Sequence, residues 1–298
     1  MIVQPPRPNL KGRPSPPIPV PMSLARRVPL AAALGLLLAC CSTGVAGGSK
    51  AGWWHPPPRP SWYWQLQGRL RTGVPALIYI VDGFETSAST VAALQRAGHK
   101  VFCYIDVGTW ERWRPDAGSF PRLLLGRPVA GWPGERWLDI ADLSALAPLI
   151  RRRLEMCAKK GFNGVEPDNI EVVGNDSGFS ITPAEQLRYA IFIASEAHRL
   201  GLAVLQKNDP AQAKALAPHF DGAVSEQCYR FHECALWLPY LRAGKPVLEA
   251  EYDPALYPAF CRRAAALGMM AALYNRALNG RLYRPCFALP TRPRSRSR

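Results

Sequence analysis

The run Gly161-Phe162-Asn163-Gly164-Val165-Glu166-Pro167-Asp168-Asn169 sets two carboxylates at the end of an apolar segment. Residues two apart on a strand share a face, so Glu166 and Asp168 are expected to point the same way. A pair of carboxyl groups is what cleavage of a glycosidic bond requires. One gives a proton to the leaving oxygen, and the other attacks the anomeric carbon or activates water. The pattern of an apolar run closed by an acid or amide recurs. Ala76 to Val81 ends in Asp82, Val101 to Ile105 in Asp106, and Trp137-Leu138 in Asp139. Ala203 to Gln206 ends in Lys207-Asn208, Gly222 to Ser225 in Glu226, Pro246 to Ala250 in Glu251, and Met269 to Tyr274 in Asn275. With the first run, eight such segments follow one another, the signature of a barrel whose active site lies at the strand C-termini.

Seven acids therefore compete for two roles: Asp82, Asp106, Asp139, Glu166, Asp168, Glu226 and Glu251. Carboxylates converging on one rim repel one another, which raises some pKa values as a general acid requires. Asp106 and Asp139 have an equally good structural reading as caps of the segments that follow them. Glu249 is assigned to the helix side or solvent. Lys207-Asn208 reads as a charge neutraliser or substrate contact, or as an ordinary salt bridge. Trp64, Tyr104, Trp110, Trp113 and Tyr252 offer faces for stacking on sugars, whereas Trp132 and Trp137 read as core. A metal centre is not expected, because none of the five histidines ends a strand and the cysteines lack paired CxxC spacing. A serine nucleophile lacks its elbow motif, and no cofactor is implied.

The elements that must hold these residues alternate. Strands are expected at 76–82, 100–106, 136–140, 164–168 and at the four later runs. Helices are expected at Ser89 to Ala97, over 143–160, from Thr182-Pro183-Ala184-Glu185 to Leu200, and near 211–217, 232–243 and 255–267. Thr182 and Pro183 make an N-cap followed by Pro at the first helical position. Arg151, Arg152, Arg153, Lys159 and Lys160 are read as surface charge. Alternating strands and helices imply a parallel sheet, here a single (β/α)8 TIM-type barrel at 61–280. An open doubly wound sheet is the alternative, but no Gly-rich phosphate fingerprint follows the first strand.

The chain has 298 residues, 48% of them hydrophobic, which suits one such barrel with extensions. Its net charge of +15 sits at the ends. Residues 1–41 carry five basic residues and 281–298 six, with no acids in either. Removing those eleven leaves 26 basic against 22 acidic residues, so the body is no nucleic-acid binder by charge. Residues 281–298 are read as a solvated basic tail. Met22 to Arg27 followed by the apolar run Val28 to Ala39 is expected to be a signal peptide over 22–41, too short to span a bilayer. Leu37-Leu38-Ala39-Cys40 has the form of a lipobox, giving a membrane tether through Cys40. Residues 1–21 read as an upstream extension, and 42–60 as a linker. The expectation is a monomer that is secreted, or held as a lipoprotein at a bacterial cell surface. Export makes Cys103, Cys157, Cys228, Cys234, Cys261 and Cys286 disulfide candidates, with Cys228 and Cys234 the first pairing expected.

The residues also resemble a known family. Tyr79 to Phe84, Val101 to Glu111 with Arg114-Pro115-Asp116, Trp137 to Ile140, Gly164 to Asn169, Gln206-Lys207-Asn208, Glu226-Gln227-Cys228 with Glu233-Cys234, and Lys245-Pro246-Val247 leading to Glu251-Tyr252 are similar to the endo-α-1,4-polygalactosaminidases of glycoside hydrolase family 114. Asp106 departs from the Ser expected at its place. The resemblance implies a barrel that hydrolyses α-1,4-linked galactosamine in a galactosamine-rich exopolysaccharide. It implies Asp168 as nucleophile, Glu226 as acid/base, and a retaining outcome. A cationic substrate would explain the surplus acids, with Asp82, Glu111, Asp139, Glu166 and Glu251 pairing with ammonium groups. Tyr104, Asp106, Trp110, Asn169, Lys207, Asn208 and Tyr252 complete the substrate-binding set. Two alternatives stand beside this reading: a non-catalytic glycan-binding barrel lipoprotein, and a glycosidase for a different amino-sugar polymer.

Overall fold

The computed structural model of the protein describes residues 52–287. The extension at 1–21, the signal run with Cys40, and Arg292 to Arg298 lie outside the described residues. The described chain opens with β1 (Trp62–Gln65), β2 (Ile78–Asp82) and β3 (Lys100–Asp106). An excursion follows, with β4 (Thr109–Glu111), β5 (Leu125–Pro128) and β6 (Glu135–Leu138). Then come β7 (Gly164–Asp168), β8 (Ala203–Lys207), β9 (Gly222–Glu226), β10 (Val247–Glu251), β11 (Met270–Tyr274) and β12 (Tyr283–Pro285). One sheet runs in the order β1-β2-β3-β7-β8-β9-β10-β11-β12, and all its pairs are parallel except the last. The eight parallel strands make a nearly closed barrel. Helices cover their outer faces, so nearly every strand residue is buried, and continuous apolar runs result.

The membership of the eight differs from the sequence expectation. The run at 136–140 is not a barrel strand. Its residues Glu135–Leu138 form β6, the centre of a three-stranded antiparallel sheet between β4 and β5. Its place in the barrel is taken by β1, Trp62-Tyr63-Trp64-Gln65, which carries no terminal acid. The seam between β1 and β11 is closed by side chains: Trp62 Nε1 donates to the Met270 carbonyl at 2.8 Å, and Tyr283 Oη donates to the Trp62 carbonyl at 2.6 Å.

The main helices are α1 (Ala88–Arg96), α2 (Leu143–Lys159), α3 (Pro183–Arg199), α4 (Ala213–Leu216), α5 (Leu238–Arg242) and α6 (Tyr257–Leu267). Thr182 and Glu185 form a complete capping box on α3. Two charges of the α2 region are not surface groups. Arg153 is buried, with its guanidinium on the Asp116 carboxylate and the Asp106 carbonyl. Lys160 Nζ donates to the carbonyls of Gly83, Phe84 and Thr86. Both therefore fix loops at the mouth of the barrel.

Both expected boundaries shift. Residues 52–60 lie against the barrel rather than forming a free linker: Trp53 stacks on His198 at 3.8 Å and donates to Asp221 at 2.9 Å. The basic tail starts later than 281, because β12 pairs with β11 and Cys286 is bonded to Cys261. The expected Cys228–Cys234 disulfide is present, and Cys103–Cys157 ties β3 to α2.

Candidate active site

Three neighbouring strands end on the residues that matter. Asp168 closes β7, Lys207 closes β8, and Glu226 closes β9. Each is followed by a non-glycine residue in the left-handed region: Asn169 (φ 63°), Asn208 (φ 50°) and Gln227 (φ 58°). Such backbone is uncommon and clusters at functional sites, and Asn tolerates it best. Here it turns the chain sharply as each strand ends. Gly108 permits one of these turns, since a Cβ there would collide with the Asn169 carbonyl.

Lys207 is fully buried at the centre of the cluster. Its Nζ lies 2.7 Å from Asp168 Oδ1, 3.1 Å from Glu226 Oε2 and 3.4 Å from Glu166 Oε1, and 4.9 Å from the centre of the Trp64 ring. Tyr104 Oη donates to Asp168 Oδ2 at 3.0 Å, and the Asn169 amide donates to Asp168 Oδ1 at 2.9 Å. Glu226 receives Asn208 Nδ2 at 3.2 Å and the Tyr252 hydroxyl. Burial works to raise the Asp168 pKa, but the Lys207 charge and the Lys207 and Tyr104 hydrogen bonds hold it below the usual value. Glu166 has no such set of donors. Burial pushes it up to about 8, with the Asp168 and Glu226 charges adding to the effect against Lys207. At neutral pH the cluster thus holds an ionised Asp168 beside a protonated Glu166.

A consequence for stability follows. The folded state keeps a proton on Glu166 that the unfolded chain releases. That contribution is complete below about 4.5 and is lost as pH rises through about 8. Glu166→Gln is expected to remove the loss. In urea denaturation the variant should gain on the parent between pH 4.5 and 8, by a margin on the order of a few kcal/mol. An unchanged difference across that range would show that Glu166 does not hold the proton.

Several acids expected at the rim are engaged elsewhere. Asp106 accepts from the Gly108 and Thr109 amides, Thr109 Oγ1 and Asn169, so it braces the loop behind the cluster. Asp139 accepts from the Ala141 amide in a turn beyond the antiparallel sheet. Glu251 does not enter the mouth. Ala250 is level with Glu226 in the pairing of β10 with β9, so Glu251 takes the opposite face. There it accepts from the Tyr229 and Arg230 amides, and Glu249, two residues earlier, faces the same side. Trp64 is buried beneath Lys207 and presents no open face, and Trp110 donates to the Ala117 carbonyl.

Beside the cluster lies a cleft of about 220 Å³ whose walls include Asp82, Tyr104, Glu111, Trp113, Arg114, Trp132 and Glu135. It meets the Lys207 cluster through Tyr104; Asp168 and Glu226 are not in its walls. Arg114 binds Asp82 at 2.8 Å and Glu111 at 2.7 Å, so both carboxylates already have a protein cation as partner, one positive charge against two negative. Trp113 is 52% exposed, an open platform at the entrance. Neither Arg114 nor Glu135 stands at a barrel-strand end, so the rule that selected the other residues could not find them. Both lie in the Trp- and Arg-rich segment after β3; Arg114 also falls in the family-like Arg114-Pro115-Asp116, whereas Glu135 had no sign beyond its place in that segment.

The sequence model of glycoside-hydrolase family GH114 matches residues 44–286. The chain belongs to this family. It is a glycoside hydrolase with a TIM-type barrel. Among solved structures, Ega3 of Aspergillus fumigatus, in complex with galactosamine, is 32% identical with a TM-score of 0.74, over 78% of this chain and 98% of its own. The glycoside hydrolase domain of PelA from Pseudomonas aeruginosa is 16% identical with a TM-score of 0.59, over 74% of this chain and 96% of its own, a likeness of fold. No curated protein sequence matches the chain. In this glycoside hydrolase the matched region takes in both β1 and β12, the two strands that complete the sheet at its seam.

Proposed function

We propose that the enzyme cleaves α-1,4-linked galactosamine within a polysaccharide chain, by endo attack with retention of anomeric configuration. One observation carries the mechanism. Asp168 Oδ1 and Glu226 Oε2 both contact Lys207 Nζ, at 2.7 and 3.1 Å, so these oxygens lie less than about 6 Å apart. That supports direct attack; an inverting enzyme spaces its carboxyls about 6.5–9.5 Å apart to fit a water. Asp168, kept ionised by Lys207, attacks the anomeric carbon as Glu226 gives its proton to the departing glycosidic oxygen. The glycosyl ester on Asp168 is then hydrolysed by a water that Glu226 deprotonates, which restores both groups. With Glu166 protonated, the buried cluster around Lys207 carries one negative charge fewer for it to offset.

The substrate assignment rests on family membership, on the galactosamine complex of Ega3, and on the acidic cleft. Three disulfides support an oxidising, extracellular setting. Export as a monomer with a lipid tether at Cys40 belongs to the same proposal; metabolic labelling with a fatty acid should mark the parent and not Cys40→Ala. The function is tested by incubating the purified protein with de-N-acetylated galactosamine polymer and with neutral polysaccharides. Oligomers of mixed length appearing early, from the amino polymer only and first in the α form, are expected. Equal cleavage of neutral polymers would sink the assignment.

A further inference from the structure

Among the described carboxyls of the cleft wall, Glu85 is exposed, and Glu135 is the buried one that the Lys207 cluster and Arg114 leave unaccounted for. It begins β6, level with Glu111 on β4, and is only 3% exposed. Its single hydrogen bond from a described residue comes from Thr109 Oγ1 at a long 3.4 Å, and no described cation pairs with it. Arg114 is saturated by Asp82 and Glu111. A buried acid without a counter-charge is costly to keep ionised. Burial and the Glu111 and Asp168 charges accordingly raise Glu135 to about 7. Three aromatic side chains share the wall: Tyr104; Trp132, partly buried; and Trp113, whose ring packs over Gly134. A sugar laid on Trp113 would therefore carry its substituents past a carboxyl whose one donor among the described residues is long. The donor that satisfies such a group is a cation with several N–H bonds.

We propose that Glu135 receives the ammonium group of one amino-sugar unit of the bound polymer and so sets the preference for free-amine over N-acetylated units. The inference rests on the galactosamine-polymer reading and adds the residue that recognises the amine. An N-acetyl group brings no charge and adds bulk, so it leaves the carboxyl unpaired in a closed wall. Glu135 acts in binding and takes no part in bond cleavage.

The test compares parent, Glu135→Gln and Glu135→Asp on de-N-acetylated and on fully N-acetylated galactosamine polymer, with folding checked by thermal denaturation. For Glu135→Gln, KM on the amino polymer is expected to rise roughly 10- to 100-fold with kcat little changed, and the preference for the free amine to collapse. Glu135→Asp keeps the charge and should retain the preference at a several-fold higher KM. Parental KM and preference in Glu135→Gln would overturn the assignment while leaving the function intact. A fall in kcat with KM unchanged would overturn it too. If Glu135→Gln does not fold, loss of the preference in a folded Glu135→Asp overturns the proposal and its retention supports it. A parent that cleaves neither polymer would remove the amino-sugar reading and this proposal together.

Discussion

Asp168→Asn should lower kcat on galactosamine polymer by at least about 10²-fold with the fold intact. The amide is nearly isosteric, so its oxygen can still accept from Lys207 and its nitrogen can turn toward the Tyr104 hydroxyl, which then accepts. In the proposed mechanism the loss is that of the attacking carboxylate. Glu226→Gln should fall by a similar factor on the polymer, for a different reason, and the two are separable. A phenolic leaving group departs without a proton, so an aryl glycoside of galactosamine should recover much of the first step in Glu226→Gln and none of it in Asp168→Asn. The Glu226→Gln variant should then accumulate the glycosyl ester on Asp168, visible as added mass on the intact protein. Activity that survives Asp168→Asn would move the nucleophile to Glu166, which shares its face of β7. No recovery on the aryl substrate in Glu226→Gln would deny Glu226 the acid role.

Lys207→Met should act on stability and on the pH profile together. Lys207 lies within 3.4 Å of three carboxyl groups and is fully buried. Removing one member of a buried ion network leaves charge without a partner, at a cost of about 3–5 kcal/mol. The pH dependence of that cost identifies its source. In the parent, Asp168 has a folded pKa below its unfolded value, so its stabilisation is present above the unfolded pKa and is lost as pH falls through the folded one. Without Lys207, burial is the dominant remaining influence, the Asp168 pKa rises, and its contribution becomes a penalty that grows with pH. The deficit of Lys207→Met in urea denaturation should therefore be larger at pH 8 than at pH 4. The acid limb of kcat/KM should move to higher pH as the nucleophile becomes harder to ionise. An equal deficit at both pH values would mean that packing, not charge, is what Lys207 supplies.

How much of this site is legible in the sequence depends on which physical rule reports it. Barrel strands that are buried on both faces are apolar throughout, and a site at their C-terminal ends interrupts them with polar groups. That rule marks β2, β3, β7, β8, β9, β10 and β11 and puts Asp168, Lys207 and Glu226 among the candidates; the family resemblance singles out Asp168 and Glu226. It fails where a residue reaches the cleft from another element. Glu135 and Arg114 come from the antiparallel excursion between β3 and α2. The same rule took Trp137-Leu138-Asp139 for a barrel strand, because a short apolar run looks alike in either sheet.

The sequence by itself determined the periodic run of strands and helices, the polar residue that closes most strands, and membership in a glycoside hydrolase family; it made Cys228–Cys234 the first pairing to expect, and the structure supplied the bond. These are local or family-level patterns, and each residue carries its own signal. Only the tertiary structure decided which strands close the barrel, which face of β10 turns inward, and which carboxyls share a cation. A strand has two faces with the same period, so nothing in Leu248-Glu249-Ala250-Glu251 says that Ala250 is the inward residue; the pairing of β10 with β9 fixes it. Likewise, Arg114 quiets Asp82 and Glu111 but not Glu135 because of where three separate chain segments meet, and that meeting is a property of the packed molecule.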